Sequence, residues 1–415
     1  MIVVSLIGCV ESSLQEPLAE AWPAVPVEVL AKVQVPAFRP TDVLVRPEGG
    51  AWVLDGDRGR IVPIAADGAI GAPFGTPEAW GHPVRLAPAA AGGAWLVDPA
   101  GRLIELDAAG KTVRQLTVAG VYGPDQVTDG PAPPTGPVAA VEVGDALVVS
   151  DRHGRLVWLA LADGAVRTVI DRDPEDVRLA TVTDLALAAD GALLAADAVA
   201  ARVHRIGADQ TWTSFGRFGQ WIGTLRQPKA VLAEGAGVWV ADSALGAVQL
   251  FAADGSARGV LTLDGEPLAL PHPIALDREA DGDLLVLEAE TATVWTVRPD
   301  RAALDAALAQ APPRWQRKAL ADEHGGPAGV DGRNCLQCHD GLVNDGRKVW
   351  DPERGHHPVH ERPEHAVPAF FPVDEDGGLM CVTCHSPHGS SSLADVEAVQ
   401  GGADPDLLVR HAATE

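Results

Sequence analysis

Basic residues, methionine and cysteine are all scarce in this chain, and each shortage closes off a line of interpretation. Only 32 lysines and arginines stand against 57 acidic residues, a net charge of −25 over 415 residues. A chain so acidic repels nucleic acid and anionic lipid; the charge favours cationic partners or serves simple solubility, and nucleic acid is not an expected partner. No stretch reaches the length of a membrane-crossing helix. Four of the five cysteines sit in two tight clusters and the fifth is Cys9, which leaves no pool for intramolecular disulfides. Also missing are a phosphate-cradling glycine loop, a nucleophile with an adjacent base and a paired-carboxylate signal. What remains is 47% hydrophobic and long enough for a large core and two domains.

The longest part of that length is repetitive. From about Val35 to Asp300 a small residue or proline leads into an apolar strand, a glycine turn, a second strand ending in an acid, and a third strand. The closing acids are Asp55, Asp98, Asp151, Asp197, Asp242 and Glu288, at steps of 43, 53, 46, 45 and 46 residues. This is the period of a propeller blade. The register is tight: 15 residues separate Pro40 from Asp55, Pro83 from Asp98, Val182 from Asp197 and Pro273 from Glu288. The long step contains Val121 to Gly136, rich in Gly and Pro, which reads as a surface loop. Asp-Gly pairs at Asp67, Asp163, Asp190, Asp254 and Asp281 mark tight turns, because glycine takes positive φ without a clash.

Two stretches carry a family resemblance. Gln227-Pro228-Lys229-Ala230-Val231-Leu232 leading to Val238-Trp239-Val240-Ala241-Asp242-Ser243, and Arg39-Pro40-Thr41-Asp42-Val43 leading to Val53-Leu54-Asp55-Gly56, resemble the NHL repeat. The resemblance covers about 270 residues and implies a mainly β, six-bladed NHL-like propeller, a fold that serves ligand, protein and enzyme scaffolds alike. The sixth unit runs out after Val294 to Val297, since Asp300 to Gln310 reads as a helix. The segment Val25 to Val33 is therefore expected to supply the outer strand of the last blade and cover its open edge.

Beyond the repeats, Cys335-Leu336-Gln337-Cys338-His339 and Cys381-Val382-Thr383-Cys384-His385 each spell the attachment signature of a c-type haem. Cys335, Cys338, Cys381 and Cys384 are spaced to form thioethers with two porphyrins, while His339 and His385 follow as proximal ligands to iron. A zinc site or a disulfide framework would use the same cysteines but would not explain a histidine directly after each pair. The gap of 43 residues from Cys338 to Cys381 also exceeds a usual zinc-ribbon loop. The expectation is two covalently attached haem c groups in a small, irregular, haem-organised domain.

The sixth ligand of each iron separates a carrier from a catalyst. Methionine is nearly excluded, because only Met1 and Met380 exist and Met380 abuts Cys381. Histidine is plentiful at 356, 357, 360, 365 and 388. His357-Pro358-Val359, followed by Cys384-His385-Ser386-Pro387-His388-Gly389, resembles the doubled CxxCH motif of multihaem cytochromes c over roughly Asn334 to Ser392. The resemblance implies His357 and His388 as distal ligands. His388 lies three residues after His385 and cannot easily reach the far face of the same porphyrin, so it is assigned to the first haem and His357 to the second. A swapped pairing, or use of His356 or His360, stays open. Bis-histidine iron has no vacant position, which points to electron transfer with redox protein partners.

Haem c is attached outside the cytoplasmic membrane, so a periplasmic or cell-surface protein is expected. The start, Met1 to Cys9, is apolar and resembles a bacterial lipobox ending at Cys9. Either Cys9 carries a lipid that tethers the chain to a membrane, or it is an incidental free thiol. The domains expected are residues 1–20 as tether, 21–300 as propeller, 301–330 as helical linker and 331–415 as dihaem domain. Oligomers in which haem domains stack between subunits are compatible with this order.

Within the repeats, the column of closing acids reads as structural, each acid accepting hydrogen bonds from the turn after it. A sharper candidate is the position before the proline register, where Arg39, His82 and His272 fall on neighbouring blades: either they converge at one mouth of the channel as a metal or anion site, or the histidines are plain surface or strand-entry residues. Some propeller lyases similar to this fold use channel histidines, but they need a third histidine that this register lacks. Two functions follow from these readings: an electron-transfer module with the propeller as docking scaffold, or an oxidoreductase or metal-dependent lyase whose channel passes electrons to the haems.

Overall fold

The computed structural model describes residues 24–118, 134–174, 179–219 and 222–309. The sheets in it are propeller-like and the chain is mainly β. One antiparallel unit recurs, and its second strand is what the sequence builds it around. Ala51–Asp55, Ala94–Asp98, Ala146–Asp151, Leu193–Asp197, Gly237–Asp242 and Leu284–Glu288 are buried at every residue. A strand covered on both faces has no reason to alternate, which is why these read as apolar runs.

Each second strand lies between a first strand and a third. The first strands are Pro40–Val45, Arg85–Pro88, Pro137–Val143, Val182–Leu187, Pro228–Glu234 and Pro273–Arg278. A fourth strand follows in most units, as at Thr112–Thr117, Val166–Ile170 and Trp212–Phe215. In the first unit the isolated bridges Ile61–Phe74 and Ile64–Ile70 take its place. Each first strand lies against the first strands before and after it, and Pro273–Arg278 lies against Pro40–Val45, so the contacts run in a closed cycle. The apolar clusters follow the same cycle between neighbouring units. One packs Trp52 and Leu54 against Leu96 and Ile104, and the last packs Leu285 and Leu287 back on Val43 and Val53.

Ala24–Gln34 pairs antiparallel with Thr293–Pro299, from Val27 opposite Pro299 to Gln34 opposite Thr293. The edge expected to be covered by this segment is therefore covered. A second pairing was not foreseen: Ala24, Val25 and Pro26 also run parallel to Val260, Leu261 and Thr262, which joins two units into one nine-stranded sheet. After Pro299 the expected helix forms as Arg301–Ala309, with Asp300 Oδ1 accepting from the Ala303 amide at 3.0 Å. Its Leu304 is buried in the cluster that holds Val25 and Leu261. Of the foreseen turns, Asp254-Gly255 shows why glycine is needed: Gly255 has φ 80° and a Cβ there would lie 2.4 Å from that of Phe215. The surface loop read at Val121 to Gly136 falls mostly outside the described residues.

The closing acids are all buried, and they do more than hold their own turns. Asp242 Oδ1 accepts from the amides of Ala244 and Leu245 in the following turn, at 3.1 and 3.0 Å. The same carboxylate also accepts from Arg226 at 2.6 Å and Gln227 at 3.1 Å, in the segment leading into the first strand of its own unit. Asp197 does the same with Ala200, Ala180 and Thr181, and Asp151 with His153, Arg155 and Thr135. Each such acid staples the start of a unit to its middle. Replacing Asp242 by Ala strands four amides and is expected to cost about 3 kcal/mol or more, with Asp242→Asn costing less because it keeps an acceptor. Denaturant titrations of the two variants followed by far-UV circular dichroism check the order.

Candidate functional site

A first strand is hydrogen-bonded to a neighbour on one side only, so its other edge presents bare amides and carbonyls to the axis. In this protein charged side chains from the first strands satisfy many of them. Asp42, Arg85 and Asp184 all lie two residues beyond the register position, at one level of the ring. Asp42 Oδ2 accepts from the Leu86 amide of the next unit at 2.7 Å, and Asp184 Oδ2 from the Val231 amide at 2.9 Å. Asp277, four residues beyond the register, accepts from the Val45 amide at 2.6 Å. Carboxylates thus cap the donors of the inner edges.

Arg85 takes the acceptors. Its guanidinium donates from Nε to the Thr183 carbonyl at 3.0 Å, from Nη1 to the Ile274 carbonyl at 3.2 Å and from Nη2 to the Lys229 carbonyl at 2.5 Å. Nη1 also donates to Asp42 Oδ1 at 3.3 Å. One side chain, 1% exposed, therefore ties its own unit to four others across the axis. Hydroxyls complete the layer: Ser150 donates to the Val182 carbonyl at 3.0 Å and Thr183 to the Pro228 carbonyl at 3.1 Å.

Enclosure by the ring changes the acidity of these groups. Burial pushes Asp42 up to about 7; the Arg85 charge pulls against it and Asp184 adds to it. Asp277 is pushed up to about 6, again by burial, against the pull of the Val45 and Arg278 amides. Asp184 is raised by burial, with Arg85 opposing. Asp184 and Asp277 are half-buried residues whose carboxyl groups the surrounding protein screens poorly.

The residues expected to converge at one mouth, Arg39, His82 and His272, are all among the described residues. Arg39 Nη1 lies 3.8 Å from Asp57 Oδ1, and His82 Nδ1 lies 3.0 Å from the Asp57 carbonyl, so both meet the turn after the second strand of the first unit. His272, in the left-handed region at φ 50°, faces Glu290 at 3.9 Å. Cys9, Cys335, Cys338, Cys381, Cys384, His339, His385, His357 and His388 lie outside the described residues. Elsewhere, Glu279, Asp281 and Asp283 bring carboxylate oxygens within 4.8 Å of one another, but Arg298 already pairs with Asp283 at 2.6 Å. A Ser214–His204 hydrogen bond of 2.8 Å stands beside Asp197, whose carboxylate is committed to three backbone amides. These are structural networks of one turn and one sheet.

Neither family models nor curated proteins match the chain. Among solved structures, a streptogramin B lyase is 14% identical, covering 68% of this chain and all of its own, with a TM-score of 0.46. A protein of unknown function from Bacteroides thetaiotaomicron is 13% identical over 66% of this chain and 72% of its own, TM-score 0.48. The WD40 repeats of RRP9 are 11% identical over 66% and 97%, TM-score 0.47.

The axial carboxylates make stability depend on pH with a definite sign. Asp42 and Asp277 keep their protons in the folded protein above the ordinary value of 3.8, so between about pH 4 and 7 the unfolded chain is the one that releases them. Their contribution is full below about pH 4 and lost by about 6 for Asp277 and 7 for Asp42, at about 1.4 kcal/mol per pH unit for each. Carboxylates held low, such as Asp254 bonded by Ser256, act in the opposite sense and only at more acid pH. Thermal midpoints are expected to fall across this window, and Asp42→Asn, which still accepts from Leu86, to flatten the fall. An unchanged slope in that variant would contradict the assignment.

Proposed function

We propose that the protein is an exported dihaem c-type cytochrome that transfers electrons, with a six-bladed propeller as its docking scaffold. The observation that carries this reading is the pair of CxxCH motifs at Cys335–His339 and Cys381–His385. The donor set fits the group: two thiols for each porphyrin and a histidine placed for each iron, with His388 and His357 as the second ligands. Bound there, haem iron supplies one-electron exchange. The chain's own part is to hold both iron faces with histidine, excluding a vacant position, and to present the haem segment to a redox partner. The count of six blades is supported by the closed cycle of first strands and apolar clusters, with the nine-stranded sheet counted as two blades bridged by Ala24–Gln34.

Arg85 supports a scaffold over a channel enzyme, because a side chain bonded to strands around the ring leaves the axis occupied at that level. The acidic balance favours a cationic partner surface. The second reading, a propeller oxidoreductase or metal-dependent lyase, draws on the convergence of Arg39 and His82 at Asp57.

Protein matured in a host competent for cytochrome c is expected to carry two haems per chain by pyridine haemochrome assay, and its reduced spectrum to ignore carbon monoxide. Removing Cys335 and Cys338 together leaves one haem. His388→Ala or His357→Ala opens a position, and carbon monoxide then shifts the spectrum of one haem. Colourless protein from such a host sinks the reading. Metal retained through purification and lost in a His82→Ala, His272→Ala variant would favour the enzyme.

A further inference from the structure

The channel centre is built as a receptor for one kind of ion. Three main-chain carbonyls, from Thr183, Lys229 and Ile274, and the Asp42 carboxylate surround a single planar cation. The carbonyls point there because they belong to sheet edges, and they would do so whichever side chain stood at position 85. The guanidinium is matched to them by shape: its donors leave in a plane and in several directions at once, which an ammonium on a flexible stem cannot reproduce.

We propose that the axis of the ring is a binding site for a guanidinium-type cation, which the protein fills with its own Arg85, and that truncating Arg85 leaves a vacancy able to take a small alkylguanidinium from solution. Truncation to Ala removes the equivalent of an ethylguanidinium group and leaves acceptors that are buried and unpaired. The Asp42 side-chain oxygen and the three carbonyls accept from the incoming cation and select its shape. This site is independent of the haem reading, since every residue in it belongs to the repeats.

The test is a thermal melt of the full haem-loaded chain, followed by far-UV circular dichroism. Arg85→Ala is expected to melt about 10 °C lower than the wild type. Ethylguanidinium chloride at tens of millimolar, far below the molar range in which guanidinium denatures, is expected to restore at least half of that loss. Ethylammonium and sodium chloride at equal ionic strength should restore much less, and the wild type should not respond. Arg85→Met, which fills the space without donors, should not respond either. Recovery no greater with ethylguanidinium than with ethylammonium overturns the proposal, as does an equal response in Arg85→Met. If Arg85→Ala is recovered only as aggregate, refolding yield in the two salts replaces the melt: a higher yield in ethylguanidinium supports the site, and equal yields overturn it.

Discussion

Everything at the centre of this protein follows from one unpaired edge. A sheet that ends in free space can leave its last row of amides and carbonyls to water, but sheets arranged with their first strands inward bring all those rows into one narrow space. The chain answers with side chains of opposite sign. Carboxylates at Asp42, Asp184 and Asp277 accept from the amides, and the guanidinium of Arg85 donates to the carbonyls. The centre is accordingly ionisable as well as buried, with Arg85 as its fixed charge held by several partners and the carboxyl groups pushed towards their neutral form. Truncating any one member leaves backbone groups of a different unit exposed to an apolar or carboxylate-lined gap.

The closing acids solve a separate problem with the same chemistry. They lie at the far end of each second strand, where a turn and the segment leading into the first strand both have amides to satisfy. Because the need recurs once per unit, so does the residue, and the column is legible in the sequence as a period. The buried second strands, the Asp-Gly turns, the covering strand before Pro40 and the helix after Pro299 were legible for the same kind of reason, since local pattern alone specifies them. The axial layer was not. Read two positions past the register, the six units carry Asp42, Arg85, Ala139, Asp184, Ala230 and Ala275, a column with no repeat in it. Its members cooperate across the ring, so their meaning lies in the arrangement of units and not in any one of them. The column just before the register reads as more chemical, with Arg39, His82 and His272; Arg39 and His82 meet Asp57, and His272 faces Glu290.

In the proposed scaffold role, an occupied axis leaves recognition to the outer surfaces. At the mouth where Asp57 lies, Phe38 is 72% exposed, with the Arg58 guanidinium 5.6 Å from the centre of its ring. A cation held over an aromatic face is a stiff, amphipathic feature of the sort that makes contacts with other proteins. The division of labour in the proposed function is then physical. The repeats supply rigidity and surface, while the residues that would hold haem lie in a separate segment whose chemistry is carried by motif.

The strand Ala24–Gln34 gives the molecule a particular history each time it folds. Its partners leave the ribosome some 230 to 270 residues after it: Val260–Thr262 in the fifth unit, then Thr293–Pro299, the last strand of the repeats. Loop-closure entropy grows slowly with length but must be met before these pairings form, and contacts so distant in sequence set a slow folding rate. Until then the earlier units can pack in succession while one sheet stays open at its rim. Once folded, the strand can leave only by giving up its pairings to two different units.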